Sequence, residues 1–451
     1  MRKKKSVRKN TSGKKDIDAK TGGKFDSFGT FRTWVEIDKK VIQKNIATFR
    51  KLIGPKTKLW AVVKSNAYGH GLVQFSKLVE RLETHPVRNH SRAQTRPGGA
   101  LGSAISNGVD GFCVDSYIEA LRLRKEGIRK PILVLGPTLA ELAKEAASKD
   151  ITLSVSNFEI LKHLAETKNP PEFHIKIDTG MSRQGFFLED IPKIIHFIQR
   201  PTSNLLRHLT GLYTHFASAK DINYPTYTEN QFDKFQKAVK LFEKAGYKNL
   251  VKHVAATGGT MINSKYHLDA VRIGIGLYGL WPAKELEIQM AGKIHPHIKR
   301  GSFSTNNKSP YPHSGVRVNL HPVLSWKTII SEVKNIPTGQ FAGYDLVERV
   351  SRPTKIAVLP IGYWHGLPRA LSSIGEVLVS GRRARILGRV SMDLTVVDVT
   401  GIKCQVGDQA TLIGRDGDAE ISAFEIAQKA GTSHYEIITR LNPLMERILT
   451  K

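Results

Sequence analysis

At 451 residues, 40% hydrophobic and 24% charged, the chain is long enough for two domains and for a sizeable buried core. No apolar run reaches the ~18 residues of a membrane helix, and the basic N-terminus lacks the apolar stretch of a secretory signal. The formal net charge is +29, but much of the excess lies in residues 1–24, 81–102 and 291–320, which hold few aromatics. That distribution argues against a nucleic-acid-binding face of interleaved basic and aromatic side chains.

Residues 1–30 are rich in Lys, Gly and Ser and read as a disordered basic tail. Structure begins at the strand pattern Thr33–Ile37. Asp38 is expected to cap a helix whose apolar face is Val41, Ile42, Ile46, Phe49 and Ile53. Short apolar runs follow at 59–63, 111–114, 132–135, 151–155, 173–177, 210–214, 251–255 and 271–273, with helical patterns between several of them. Ser116 with Glu119, and Thr138 with Glu141, read as capping boxes, and Gly127 as a glycine that ends a helix. Eight strands alternating with helices predict a (β/α)8 barrel, although a doubly wound sheet alternates in the same way.

After Pro282 strand-like runs follow one another without long helices. The expected organisation is α/β: a basic tail over 1–30, then an N-terminal TIM-type (β/α)8 barrel over 31–293 with an insertion at about 81–102. An inserted linker at 294–320 leads to a C-terminal mostly-β domain over 321–451. Both inserted segments read as surface loops rich in Pro, Gly, Ser and basic residues. Cys113 and Cys404 stand outside any metal or redox spacing and read as free thiols of a reducing compartment. No metal site is expected.

The chemistry starts at residues 61–71, AVVKSNAYGHG. An apolar strand ends at Lys64, and in a barrel such strand ends converge on the open face where catalytic side chains sit. Partial desolvation lowers a lysine's pKa and suits it to Schiff-base chemistry. A single lysine at a strand end would be unremarkable, but this eleven-residue string resembles the cofactor-lysine motif of alanine racemases. The resemblance runs from about Trp34 to Arg447, apart from the two insertions.

That resemblance implies pyridoxal 5′-phosphate as cofactor, attached to Lys64, with Tyr68 near its phosphate. KIDTGMSRQG (176–185) is similar to the segment whose arginine, here Arg183, approaches the cofactor's phenolic oxygen and the substrate carboxylate; its Lys176 is at a position often carbamylated. GLYTHFASA (211–219) would set His215 against the pyridine ring. KHVAATGGT (252–260) resembles a phosphate loop, with Thr257 as the hydroxyl and Ala256 in place of a more usual Asn. In AVRIGIGLYG (270–279), Arg272 would face the pyridine nitrogen, and the amides of Gly274 and Ile275 would hold phosphate. Arginine keeps its own proton, so the ring would be a weaker electron sink than one paired with a carboxylate.

The resemblance continues beyond the linker. GQFAGYDLV (339–347) identifies Tyr344 as a second catalytic base, with the register anchored by IGYWHGLPRAL (361–371) and GRVSMDLTVVDV (388–399). Tyr363 and Arg369 would line the substrate channel, where Trp364 and His365 replace a small-acidic pair. Met392 and Asp393 would contact substrate, and Tyr435 the phosphate.

Racemisation removes a proton from one face of Cα and returns it to the other, so two bases are expected. The resemblance assigns Lys64 to D-alanine and Tyr344 to L-alanine, the tyrosine coming from a second chain. It therefore implies a cytoplasmic head-to-tail homodimer with shared sites, supplying D-alanine for peptidoglycan. The same apparatus would serve a serine or broader-specificity racemase. A non-catalytic barrel protein that binds the same cofactor would lack residues 323–451 and Tyr344. A fold-related decarboxylase would place a carboxylate where this chain has Arg272.

Overall fold

The computed structural model describes residues 31–82, 108–200, 203–221, 224–290 and 318–450. The tail 1–30 and most of the segments 81–102 and 294–320 lie outside the described residues. None of the described helices is long and apolar enough to cross a membrane.

The first strand, β1 (Thr33–Asp38), leads into the helix Lys39–Ile53, whose N-terminus is capped as expected by Asp38 accepting from the Val41 amide at 2.9 Å. Ile42, Ile46, Phe49 and Ile53 on one face of that helix are buried, as their spacing requires. Eight parallel strands then form the barrel: β2 (Lys58–Val62), β3 (Gly111–Val114), β4 (Ile132–Val134), β5 (Thr152–Val155), β6 (Phe173–Lys176), β7 (Leu209–Tyr213), β8 (Val251–His253) and β9 (Ala270–Ile273). Neighbours pair in sequence order from β2 to β8, and β9 pairs with β2. The remaining seam is drawn together by the Arg272 amide donating to the Ala255 carbonyl at 2.9 Å and by the bridge between Ala256 and Arg272. The parallel closed arrangement, not a doubly wound sheet, is the one these strands adopt.

The second layer contains β10 (Leu324–Ile329), β11 (Glu332–Ile336), β12 (Thr354–Leu359), β13 (Glu376–Val379), β14 (Arg382–Leu387), β15 (Thr395–Asp398), β16 (Gln409–Asp416), β17 (Ala419–Ile421) and β18 (Glu446–Thr450). They form one sheet in the order β11-β12-β15-β14-β13-β16-β10-β1-β18, with β17 on β16. The first strand is therefore built into the second sheet, although it falls within the 31–293 span read as barrel. It lies antiparallel to β10 and parallel to β18, Trp34 opposite Lys327 on one side and Glu446 on the other. Val35 and Ile37 are fully buried there. Barrel and sheet thus share one hydrophobic core, which runs from Phe49 and Phe75 through Tyr278 to Trp326 and Ile438.

Local signals held unevenly. Ser116 and Glu119 form the expected capping box, and Gly127 adopts the left-handed conformation (φ 89°) just past the helix Tyr117–Lys125. Thr138 caps nothing: the chain there turns into the 3-10 segment Ala140–Leu142, and the Thr138 hydroxyl is buried without a partner. In the second domain the strand-like run over 328–333 is split, since Ile330 and Ser331 leave the sheet between β10 and β11.

Candidate active site

Val62, last in β2, is one step from Val63, whose amide donates to the Cys113 carbonyl of β3 at 2.8 Å. Lys64 follows at the C-terminal mouth of the barrel. The chain then does something L-residues resist: Ser65, Asn66, Ala67 and Tyr68 all lie in the left-handed region, with φ between 51° and 56°. Each such residue costs about 1–2 kcal/mol, so the turn survives only where its surroundings over-determine it. They do. Glu119 accepts from the Ser65 amide at 2.6 Å, Asn66 accepts from the Leu72 amide at 2.8 Å, and Ala67 donates to Val63 at 2.8 Å. The buried guanidinium of Arg447 donates twice to the Gly69 carbonyl, and to the carbonyls of Leu441, Asn442 and Met445. Strained backbone and dense clamping coincide at the one lysine that begins the loop.

The barrel interior beneath is filled with side chains. Trp60, His174 and His253 pack together below the cavity; Cys113, Ser154, Tyr213 and Arg272 lie in the interior beside them; Val62, Leu135 and Lys176, with Tyr213 and Arg272, line the cavity. Arg272 is 1% exposed. Its Nη atoms donate to Thr214, Val254 and His253 carbonyls, to His215 Nδ1 at 3.2 Å and to His253 Nδ1. The Nε atom has no protein acceptor among the described residues, on a side chain that lines the cavity. Burial and then the Arg272 charge push the His215 imidazole down to about 3, so it is neutral.

The cavity has a volume of about 680 Å³. Lys64, Tyr68, Lys176, Arg183, His215, Thr257, Arg272, Gly274, Ile275 and Tyr435 all line it. Thr257 opens the helix Thr257–Ile262, and its hydroxyl accepts from the Gly274 and Gly276 amides at 3.3 Å, leaving its own proton to donate. Tyr68 and Tyr435 stand with ring centroids 6.2 Å apart on opposite sides of the junction between barrel and sheet. Burial raises both phenols, Tyr435 to about 12, so both are protonated donors. Arg183 ends a loop wound about Asp178, whose carboxylate accepts from four successive main-chain amides, 180 to 183, at 2.9–3.1 Å. Those amides outweigh burial and hold the Asp178 carboxyl below the usual range. Lys176 donates to Gln184 Oε1 at 2.8 Å, and burial, then the Arg183 and Arg272 charges, lower it to about 8.

Tyr344, Tyr363, Met392 and Asp393 are elsewhere. Tyr344 stands 68% exposed at the tip of the hairpin that carries the chain from β11 to β12. The hairpin is braced by the Phe341–Arg349 bridge and the Asp345–Arg389 ion pair at 3.2 Å. Tyr363 and Trp364 donate their amides to Ser391 and Met392 carbonyls at 3.0 Å, so Tyr363 and the loop that carries Met392 and Asp393 lie side by side on the second domain's surface. It is rich in exposed apolar groups, Leu346, Trp364 and Leu394 among them, and Arg369 is also exposed. Within one chain this surface does not reach the cavity.

Sequence reasoning missed several lining residues. Asp115, the one carboxylate among them, pairs with Lys64 Nζ at 3.2 Å. Its position at the end of β3, immediately before a capping Ser, was the available signal, because strand ends face the mouth. Tyr213 carries Lys176 and Arg272 over its ring at 5.6 and 5.2 Å, and its hydroxyl donates to Ser154 Oγ at 2.7 Å. Within a strand, nothing in sequence distinguishes it from a core tyrosine.

Comparison with known proteins gives a consistent result. The alanine racemase N-terminal domain family matches residues 37–282, and the alanine racemase C-terminal domain family matches 323–449. The chain is 34% identical over 428 residues to an alanine racemase of Leptospira interrogans, covering 93% of this chain and 96% of that one. It is 35% identical over 425 residues to an alanine racemase of Methanococcus maripaludis, covering 92% and 98%. Among solved structures, alanine racemase from Bacillus anthracis with bound L-Ala-P superposes with a TM-score of 0.76 at 30% identity, covering 93% and 95%.

Proposed function

Because the chain belongs to the alanine racemase family, we propose that it interconverts L-alanine and D-alanine on pyridoxal phosphate, with Lys64 and Tyr344 of the partner subunit as the two bases. The observation that carries this reading is convergence. Residues scattered from 64 to 435 meet in one cavity at the barrel mouth, among them an amine, a buried guanidinium and a set of neutral hydroxyl donors.

The residues present fit the cofactor. Lys64 would hold it covalently. Tyr68, Thr257 and Tyr435 offer three hydroxyls, and Gly274 and Ile275 main-chain amides, to a phosphate. The unclaimed Nε–H of Arg272 suits the pyridine nitrogen, as an acceptor that needs a donor but not a full proton. When bound, pyridoxal phosphate supplies the ring that delocalises the charge left on Cα.

The chain's own groups do the rest. Arg183 holds the substrate carboxylate and so fixes which faces of Cα meet the bases. Lys64 Nζ takes or returns the Cα proton on one face. Tyr344 of the partner subunit does so on the other, which is why an exposed tyrosine on a rigid hairpin belongs to the site. Neutral His215 accepts from Arg272 at Nδ1, so its N–H is on Nε2, and it brings no further charge to the ring. Excluding water from the cavity strengthens each of these interactions.

A head-to-tail homodimer follows from this reading. The apolar surface around Tyr344 needs a cover, and Ile118, Leu139 and Phe187 stand exposed after β3, β4 and β6, on the rim of the barrel mouth. The enzyme would work in the cytoplasm and supply D-alanine for peptidoglycan. The test is a conversion assay from both enantiomers of alanine, serine and several larger amino acids, together with the mass of the native assembly. Interconversion of alanine by a dimer supports the reading. A dimer that racemises serine faster than alanine would replace the substrate, and no conversion of any amino acid would remove the function.

A further inference from the structure

Barrels are ordinarily filled by branched aliphatic side chains. The interior of this one, below the cavity, holds two imidazoles. His174 of β6 and His253 of β8 are 4% and 0% exposed, with His174 Nδ1 2.8 Å from His253 Nε2. Trp60 packs against both rings, at 5.6 and 4.9 Å, and Tyr213 stacks on His253 at 4.8 Å with the planes 5° apart. The neighbouring strand gives way to accommodate them: a Cβ at Gly211 would lie 2.6 Å from the His174 ring. Buried polar groups persist when they are hydrogen-bonded, and these two are bonded in series to Arg272.

The direction of that series is fixed by one fact: a guanidinium only donates. His253 Nδ1 must therefore accept from Arg272, so the His253 proton is on Nε2. That N–H donates to His174 Nδ1, so the His174 proton is on Nε2 as well. The opposite tautomer of His253 would turn an N–H against a guanidinium N–H, whichever tautomer His174 adopted. On the other arm of Arg272, His215 Nδ1 accepts at 3.2 Å. Burial, then the Arg272 charge, keeps His174 and His215 down at about 3 and His253 well below its ordinary value, so all three stay neutral.

We propose that His174 is a positioning residue for Arg272: by accepting the Nε2–H of His253 it satisfies the tautomer that Arg272 selects, anchors that ring with its Nδ1 against the guanidinium, and so keeps the Arg272 Nε–H directed at the cavity. The role rests on the reading above that this N–H meets the cofactor's pyridine nitrogen. His174 touches neither cofactor nor substrate. It acts through His253, as an acceptor that a core aliphatic cannot replace.

Two variants separate the acceptor from the bulk. His174→Asn keeps an acceptor near the Nδ1 position, whereas His174→Leu fills space without one. Nitrogen-15 spectra of histidine-labelled protein without cofactor should show His253 and His174 as neutral Nε2–H tautomers from pH 6 to 9, the His253 pattern surviving in the Asn variant and changing in the Leu variant. Pyridoxal phosphate should bind the Leu variant roughly tenfold more weakly than the unmutated protein, the scale of one net hydrogen bond, and the Asn variant within about threefold. A His253 proton on Nδ1 in the unmutated protein overturns the proposal without any variant having to fold. So does a folded Leu variant that binds the cofactor as tightly as the unmutated protein, or an Asn variant as weak as Leu. If the unmutated protein takes up no pyridoxal phosphate, the proposed function falls, and this role falls with it even where the tautomers are as described.

Discussion

Lys176 lies two residues beyond His174 on β6, where it lines the cavity, and its amine is half-neutral near pH 8 because burial and two arginines disfavour its charge. A neutral amine is the form that adds carbon dioxide. With labelled bicarbonate, a carbamate carbon signal should therefore be strong at pH 8.5, nearly absent at pH 6, and missing in Lys176→Met. A signal of equal size at both pH values would contradict the lowered pKa. For Lys64 the expectation is that the loaded protein absorbs near ~420 nm and that borohydride fixes the cofactor to this residue. Label on any other lysine, or normal racemisation by Lys64→Ala, would move the site. Residues of this kind were legible because each sits in a long string of fixed neighbours, AVVKSNAYGHG for Lys64 and AVRIGIGLYG for Arg272. Asp115, Tyr213, His174 and His253 were not, since their meaning depends on which strands stand next to each other. His253 lies inside a quoted segment and still gave no sign that it would meet Arg272 from one side and His174 from the other.

Two short elements bring the two phenols of the cavity together: the left-handed turn 64–68, which carries Tyr68, and the helix His434–Thr439, which carries Tyr435. They meet at Gly69, which has φ 84° and whose added Cβ would fall 1.9 Å from the Ile438 carbonyl oxygen. Gly69→Ala should destabilise the protein by roughly 3 kcal/mol, through left-handed strain and overpacking together. It should also weaken cofactor binding, since Tyr68 and Tyr435 would part. Unfolding in urea alongside a cofactor titration tests this; full stability with full affinity would show that the contact is slack. At this scale the eight barrel strands were readable within a residue or two, because strands buried on both faces are short apolar runs. The strand β14 was not, since Arg382, Arg383 and Arg385 alternate with Ala384 and Ile386 and interrupt any apolar run. Nor did composition show that β1 belongs to the second sheet, because pairing between positions almost 300 residues apart leaves no local trace.

For the whole molecule the sharpest expectation concerns shared sites. Tyr344→Phe removes the phenol from an exposed hairpin tip and should leave packing and cofactor binding intact. Exchange of the α-hydrogen of L-alanine should collapse, while Lys64 continues to exchange that of D-alanine. Mixing inactive Tyr344→Phe chains with inactive Lys64→Ala chains should restore activity, since one site of a mixed dimer then has both bases. Mixed dimers that form and stay inactive would mean that each site is built from one chain. Deleting residues 1–28 should leave activity nearly unchanged, given their low apolar content.

The position of β1 between β10 and β18 has a bearing on how the protein is made. On the ribosome β1 is synthesised first among the described strands, yet its two neighbours come roughly 290 and 410 residues later. At about 5–20 residues per second, it waits on the order of 20–80 s before the second neighbour exists. During that interval the nascent barrel can close while Trp34, Val35 and Ile37 remain an apolar strand with both edges open until β10 is made and one edge open until β18 is, the type of surface that chaperones occupy and that neighbouring nascent chains can capture. Synthesis of β18, not emergence of the barrel, is then the step after which β1 can become resistant to proteolysis.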